Sequence, residues 1–515
     1  MANLSRHNAY GTLLSPTDRG ITLSPLTPFT PVLLALLLGG LFFLYRLKLS
    51  DDKSHKSQAL KVAIPEARVG NGYFTSMNAY NSNPVVFLRE SRSTHGKQFK
   101  IPSPMADTYF LMTKQMNRFY LEMKEDVWSF GDGMGIFLKK VVLPGYFDHL
   151  STLVSSVNRG INRPAALRTW ADNVADEAVK CFDSWSDKED IDLFEASSEL
   201  VQRVLVRCMM GTDFYEEHLD ELIKHLHDME KDIGHPFNFL LPAWVPHPPA
   251  RRLRAARDAM CAIFDKCLAK RRSQPASIWD DSLDYVNFTL KDKATQPLEK
   301  YFASHHTLIM FAAHTSTVAS VAWTIVELLR HPEELAKLQA DLQGQNESLP
   351  WSSRWTQQPQ LGSCLRESSR FYSGVSMLRL ARTGQTLPDG SYVPAGSVVS
   401  ISPYLTHRDE DIYPNAEEWK PERWRRDPDL PRQLNSGDQA AVLGFGFGTH
   451  RCPGEKMATM IATTAIGVLF SQYSVRVTDT SPVPQAGDRP ETLDFTKIGS
   501  AWAKKPFKLH ISART

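Results

Sequence analysis

The sequence predicts a mainly α-helical domain with a small β region, set behind a single N-terminal transmembrane helix. Three observations lead there. A run without glycine or proline extends from Leu298 to His331. A strand-and-turn pattern appears in the late stretch "QTLPDGSYVPAGSVVSISPY", and no βαβ alternation occurs along the chain. An uncharged apolar segment, "PFTPVLLALLLGGLFFLY", occupies residues 28–45.

At 18 residues that segment is about the minimum for one bilayer span. Pro31 lies near its start, where a helix tolerates proline. Arg6 and Arg19 precede it, whereas Arg46, Lys48, Lys53, Lys56 and Lys61 follow. Excess positive charge marks the cytosolic side. The expected layout is therefore a lumenal segment 1–27, an anchor 28–45, a basic linker 46–63 and a cytosolic domain 64–515. A cleaved signal peptide competes, but the upstream stretch is long and no clean small-x-small site follows. A buried core helix fits poorly beside a charged linker.

The long run reads as helix from Leu298 to Arg330, about 50 Å at 1.5 Å per residue, stopped by Pro332. The late strands turn at Asp389-Gly390 and Ala395-Gly396. The chain has 515 residues, 42% of them hydrophobic, enough for a large core. Its 59 basic and 57 acidic residues leave a formal charge of +2, which argues against broad nucleic-acid binding. Six cysteines are scattered without a CxxC pair, which disfavours a disulfide framework or zinc site and suits a reducing compartment. Cys181, Cys208, Cys261, Cys267 and Cys364 read as core filling.

Cys452 differs. It sits in "GFGFGTHRCPG", residues 444–454, just ahead of the helical pattern starting at Glu455. A buried thiolate needs cations or hydrogen-bond donors around it. Gly444, Gly446, Gly448 and Gly454 let the backbone bend and aim amides at sulfur, and a helix N-terminus adds positive potential. Phe445 would pack beside a flat ring, and His450 and Arg451 would pair with acidic groups of a cofactor. These features suit a haem held by an axial cysteine.

The stretch "FGFGTHRCPG" resembles the haem-binding loop of the cytochrome P450 family, with Phe445, Gly448, Cys452 and Gly454 where the pattern requires them. The resemblance extends over roughly residues 64–510 and implies the P450 fold, haem b, and electrons from NADPH through a separate membrane-bound reductase. No GxGxxG follows a strand, so the chain carries no nicotinamide domain of its own. In "ESSR" and "PERW" the resemblance implies a buried triad of Glu367, Arg370 and Arg423, which specifies fold rather than chemistry. A plain surface i,i+3 pair is the alternative for ESSR. In "SMLRLART", Arg379 would meet a haem propionate; the alternative is a solvated strand arginine.

The stretch "FAAHTST" on the long helix matches the segment that crosses the oxygen-binding side of the haem in this family, where the helix is expected to open slightly. Thr315 would relay protons there. Most members place an acid just before this threonine, whereas this chain has His314, which can also shuttle protons. The bland readings are a back-bonded hydroxyl for Thr315 and, for His314, a residue turned into a polar network. His-Thr, and a histidine two before the ligand, resemble sterol 14α-demethylases. So does "HPFNFLLPAWVPHPPARRLRAARDAM", whose Phe237, Phe239, Leu240, Leu241 and Trp244 would dip into the membrane at the substrate entrance with arginines at the headgroups. A core loop is the alternative.

The match is partial. Ile136 or Phe137 stands where the demethylases carry a haem-contacting tyrosine, and Phe-Ala-Ala replaces Ala-Gly-Gln. The resemblance thus implies a monooxygenase with a changed, lipophilic substrate, sterol- or triterpenoid-like, in fungal secondary metabolism at the endoplasmic reticulum membrane. A haem-thiolate isomerase, dehydratase or peroxygenase without need of NADPH, and a non-catalytic haem-bearing lipid binder, are the other classes.

Overall fold

The computed structural model describes residues 63–68, 73–103, 106–235, 237–238, 241, 245–425, 442–478, 492–497 and 499–514. The segments 1–27, 28–45 and 46–62, together with Phe239, Leu240 and Trp244, lie outside the described residues. Among the described residues, one helix is long and apolar enough to cross a membrane, and it is an internal helix ending at Arg330.

That helix spans Phe302–Arg330 and runs through the core. The expected start at Leu298 is instead a 3-10 turn, Gln296–Tyr301, in which Leu298 leaves helical geometry. The end is as expected: His331 leaves helical geometry before Pro332 because proline crowds the α region of its predecessor. The helix remains α-helical through Thr315, where a local opening was expected. Helices Leu193–Leu205, Pro248–Ser273, Pro359–Phe371 and Glu455–Gln472 pack on it. The last of these is buried almost all round from Met457 to Phe470, as its uniformly apolar sequence requires. Helix starts follow side-chain caps: Asn83, Thr113, Ser129, Asp192 and Asp284 each accept a first-turn amide.

The late strands form as expected, at Gln385–Thr386, Tyr392–Val393 and Val398–Ile401, with Gly390 and Gly396 at positive φ. The β region is not confined to that stretch, however. A five-stranded sheet runs in the order Gln98–Ile101, Thr108–Leu111, Val398–Ile401, Met377–Ala381, Trp128–Ser129. Thr108 pairs with Val398 in parallel register, so early and late strands share one sheet. A three-stranded sheet of Ile191–Asp192, Lys508–Ala513 and Tyr473–Val477 closes the other end of the chain onto the helices.

Candidate active site

The sulfur of Cys452 is set by two neighbours. Gly446 and Gly448 adopt left-handed φ of 70° and 59°, and a Cβ on Gly446 would meet the His450 carbonyl at 2.9 Å. The Cys452 amide donates to Phe445 O at 2.7 Å, closing the loop three residues before the helix Glu455–Gln472 begins. Burial raises the thiol pKa, against which the Gly454 and Glu455 amides and Arg451 pull it down. Cys452 is the only solvent-exposed cysteine among the described residues, yet enough protein surrounds it to desolvate it. An accessible thiol with amide donors at its sulfur is suited to ligate a metal as thiolate. Cys181, Cys208, Cys267 and Cys364 are buried and Cys261 partly so, consistent with core filling.

Arg379 is 2% exposed on the strand Met377–Ala381, which excludes a solvated strand arginine. One Nη donates to Met123 O at 2.7 Å and the guanidinium lies 4.7 Å over the Tyr120 ring, while its Nε is buried without a partner. An unpaired buried guanidinium donor fits a carboxylate, such as a porphyrin propionate. His450 and Arg451 differ from expectation: both meet protein carboxylates. Arg451 pairs with Glu455 one turn on. His450 Nε2 stands 3.3 Å from Glu125 and its ring stacks on Phe130 at 4.7 Å. Burial alone would raise the Glu125 carboxyl, but hydrogen bonds from His450, Ser129 and the Phe130 and Gly131 amides bring its pKa to about 2. Phe445 is half-buried beside the loop.

The triad closes fully. Arg370 donates to both Glu367 oxygens at 2.9 and 2.7 Å, and Arg423 Nε lies 3.3 Å from Glu367. Two partners are not visible in the motifs as paired residues: the Trp424 indole and the Lys420 amide each donate to Glu367 at 2.8 Å. The spare donors of Arg370 and Arg423 reach the carbonyls of Ala416, Glu418, Pro414 and Asn415. Nothing here is left for chemistry. Glu367→Gln should therefore lower stability by about 3 kcal/mol, since it strands a buried guanidinium, and denaturant titration of the holoprotein measures it.

On the long helix, His314 and Thr315 are both buried. The Thr315 hydroxyl donates to Glu230 Oε1 at 3.1 Å, not to its own backbone. His314 Nδ1 pairs with the same carboxylate oxygen, and its Nε2 bonds Ser198 Oγ at 3.0 Å. Lys497 Nζ stands 4.0 Å from Glu230 Oε2, and the Trp502 indole donates to Thr315 O at 3.1 Å. His314 thus does turn into a polar network, but the network includes Thr315. The sequence reading missed Glu230, in helix Thr212–Ile233. The signal was present: Glu230 falls four residues after buried Leu226 and three before buried Ile233, an acid inside an apolar stripe. Of the entrance residues, Phe237 is 48% exposed and Leu241 half-buried.

Comparison with known proteins agrees with this geometry. The family model "Cytochrome P450" matches residues 110–509. The chain is 45% identical over 482 residues to cytochrome P450 monooxygenase pynD of Aspergillus niger, covering 92% of this chain and 96% of that protein. It is 45% identical to pyvB of Aspergillus violaceofuscus over 87% of this chain and 89% of that one. Human lanosterol 14-alpha demethylase is 26% identical over 78% of this chain and 79% of its own. Among solved structures, retinoic acid-bound cyanobacterial CYP120A1 superposes with a TM-score of 0.73 at 17% identity, covering 88% of this chain and all of that one. An accessible thiol cradled by amides, a buried guanidinium lacking its carboxylate and a matching family model converge: the chain belongs to the cytochrome P450 family, whose cofactor is haem b and whose electrons come from a reductase partner.

Proposed function

We propose that this protein is a membrane-anchored, NADPH- and reductase-dependent monooxygenase that oxidises a lipophilic, sterol- or triterpenoid-like intermediate of fungal secondary metabolism. The observation that carries the reading is the bonding of His314 and Thr315, on the long helix, to Glu230 of helix Thr212–Ile233, in a chain whose Cys452 thiol is exposed. Bound haem supplies reductive activation of dioxygen, placing one oxygen atom into a C–H bond and releasing the other as water.

The chain's own residues do the rest. Cys452 would hold the metal as thiolate, with the Gly454 and Glu455 amides offsetting its charge. Arg379, a buried guanidinium with a donor to spare, would hold a carboxylate of the cofactor. Thr315, whose hydroxyl donates to Glu230 at 3.1 Å and not to its own backbone, passes a proton onward and regains one through Glu230, a carboxylate that first takes that proton up from solvent and then relays it. His314 fixes the Glu230 carboxylate, Ser198 fixes His314, and Trp502 holds the Thr315 carbonyl. Glu230 supplies the acid that the helix motif lacks, which weighs against an NADPH-independent isomerase, dehydratase or peroxygenase.

Residues 28–45 would anchor the protein in the endoplasmic reticulum membrane, with 1–27 lumenal and 64–515 cytosolic beyond the linker. The exposed Phe237 suits an entrance facing lipid. Likeness to a lanosterol demethylase supports a sterol-like substrate, and the two Aspergillus monooxygenases support a fungal pathway.

Metabolite profiling with and without the active protein, followed by reconstitution with an NADPH–P450 reductase, tests the assignment. An oxidised product that strictly requires NADPH and dioxygen is expected; the same product without NADPH overturns it. Thr315→Ala should keep its haem, form ~10- to 100-fold less product per NADPH and release hydrogen peroxide instead. Unchanged coupling would remove Thr315 from the proton path.

A further inference from the structure

Away from the haem loop, a cleft of about 350 Å³ opens between the helix Pro84–His95 and the turn that follows Pro403–Thr406. Arg89, Arg92, Ser93, Lys97, Leu405, Arg408 and Glu417 line it. Arg89, Arg92 and Ser93 share one helix face by their spacing of three and four. Four cations therefore meet one lining carboxylate.

The ion pairs around the cleft do not balance. Glu417 is divided between Arg89, at 2.8 Å, and Arg408, at 3.2 Å. Asp409 is divided between Arg92, at 2.7 Å, and Lys97, at 3.1 Å. The remaining carboxylate, Asp411, pairs with Lys97 but is 80% exposed, where water screens it. Arg408 is the most buried cation of the lining, with a side chain only 4% exposed. It is clamped between the rings of Tyr404 and Phe371, 3.9 and 4.4 Å from its Cζ. Its Nη1 is buried with no hydrogen-bond partner. Burial, followed by the charges of Arg370 and Arg89, lowers its pKa. A buried guanidinium nitrogen without an acceptor is costly, and nothing in the P450 chemistry above uses it.

We propose that this cleft binds a phosphoryl group, with Arg408 at its floor and Arg89, Arg92 and Lys97 around its rim. Planar guanidinium forks flanking an ammonium match a tetrahedral oxyanion better than a single carboxylate. The group comes either from a free phosphate compound or from an anionic lipid headgroup, since the chemistry at the cleft is the same.

The full-length holoprotein in neutral detergent tests this with inorganic pyrophosphate as probe. Pyrophosphate should raise the thermal midpoint by ~2 °C or more, while sodium chloride at equal ionic strength does not. Calorimetric titration should show saturable binding that weakens at least ~10-fold in the double variant Arg89→Ala/Lys97→Ala. Both positions are partly exposed, and an unaltered carbon-monoxide spectrum certifies that the variant is folded. Equal midpoints in pyrophosphate and chloride, or undiminished binding by the double variant, would overturn the proposal. Nanodiscs rich in phosphatidic acid separate the two sources. Loss of pyrophosphate binding in them, but not in phosphatidylcholine nanodiscs, assigns the headgroup; retained binding in both assigns the free phosphate, and either result upholds the cleft.

Discussion

Cys452→Ser is expected to fold yet lose the thiolate-type absorption of the reduced carbon-monoxide complex, and with it all NADPH-dependent product. The loss should be complete because no other sulfur can replace this one. Burial pushes the thiols of Cys181 and Cys208 up to about 12 and that of Cys267 to about 11, so each stays protonated in its core site. Cys364 is raised further by the same cause, and Cys261 contacts Thr307 instead. A serine hydroxyl at position 452 keeps the loop geometry but offers a much weaker anion to the metal. The spectrum separates ligation from folding: far-UV circular dichroism should match wild type while the band disappears. A variant that keeps the band would assign the metal to a different ligand and remove the basis of the mechanism.

What could be read from the sequence follows how local each feature is. The Cys452 loop is a contiguous string, and its glycines, its amide donors and the helix behind it are all encoded within about a dozen residues. The long helix was legible because it lacks breakers; it departs from expectation in its first turn, where Pro297 favours a 3-10 entry, and at Thr315, where it stays closed. Features joined by tertiary contact were not legible. Strand Thr108–Leu111 is four residues long and gains its identity from a parallel partner at Val398–Ile401, nearly three hundred residues later. The partners of His450 and Arg451 followed the same rule. The expected partners were acidic groups of a cofactor, whereas the carboxylates that meet the two side chains are Glu125 and Glu455 of the protein itself. Glu230 is the most telling omission. It is 84 residues from His314, and only helix packing brings the two together.

Glu230→Gln should cut product formation by about 10²- to 10³-fold with haem content unchanged, a larger effect than Thr315→Ala, because it removes the only carboxylate bonded to both His314 and Thr315 among the described residues and with it the relay that feeds Thr315. Gln keeps the shape and can still accept from Thr315, but it cannot hold and release a proton. NADPH consumption should continue and end as hydrogen peroxide. Rescue by Glu230→Asp, even in part, would distinguish proton supply from packing. The pH dependence gives a second, independent readout. Burial alone would raise the Glu230 carboxyl, but the hydrogen bond and charge of His314, then Lys497 and Thr315, outweigh it and hold the pKa below its ordinary value. A depressed folded pKa means that Glu230 stabilises the fold fully above its unfolded value near 4.3 and loses that contribution as pH falls through the lower folded one. Wild type should therefore lose stability across that acidic window, by thermal midpoint, more steeply than Glu230→Gln. If the two acid limbs coincide and coupling is normal in the variant, then Glu230 only spaces two helices, and the proton must reach Thr315 by another route.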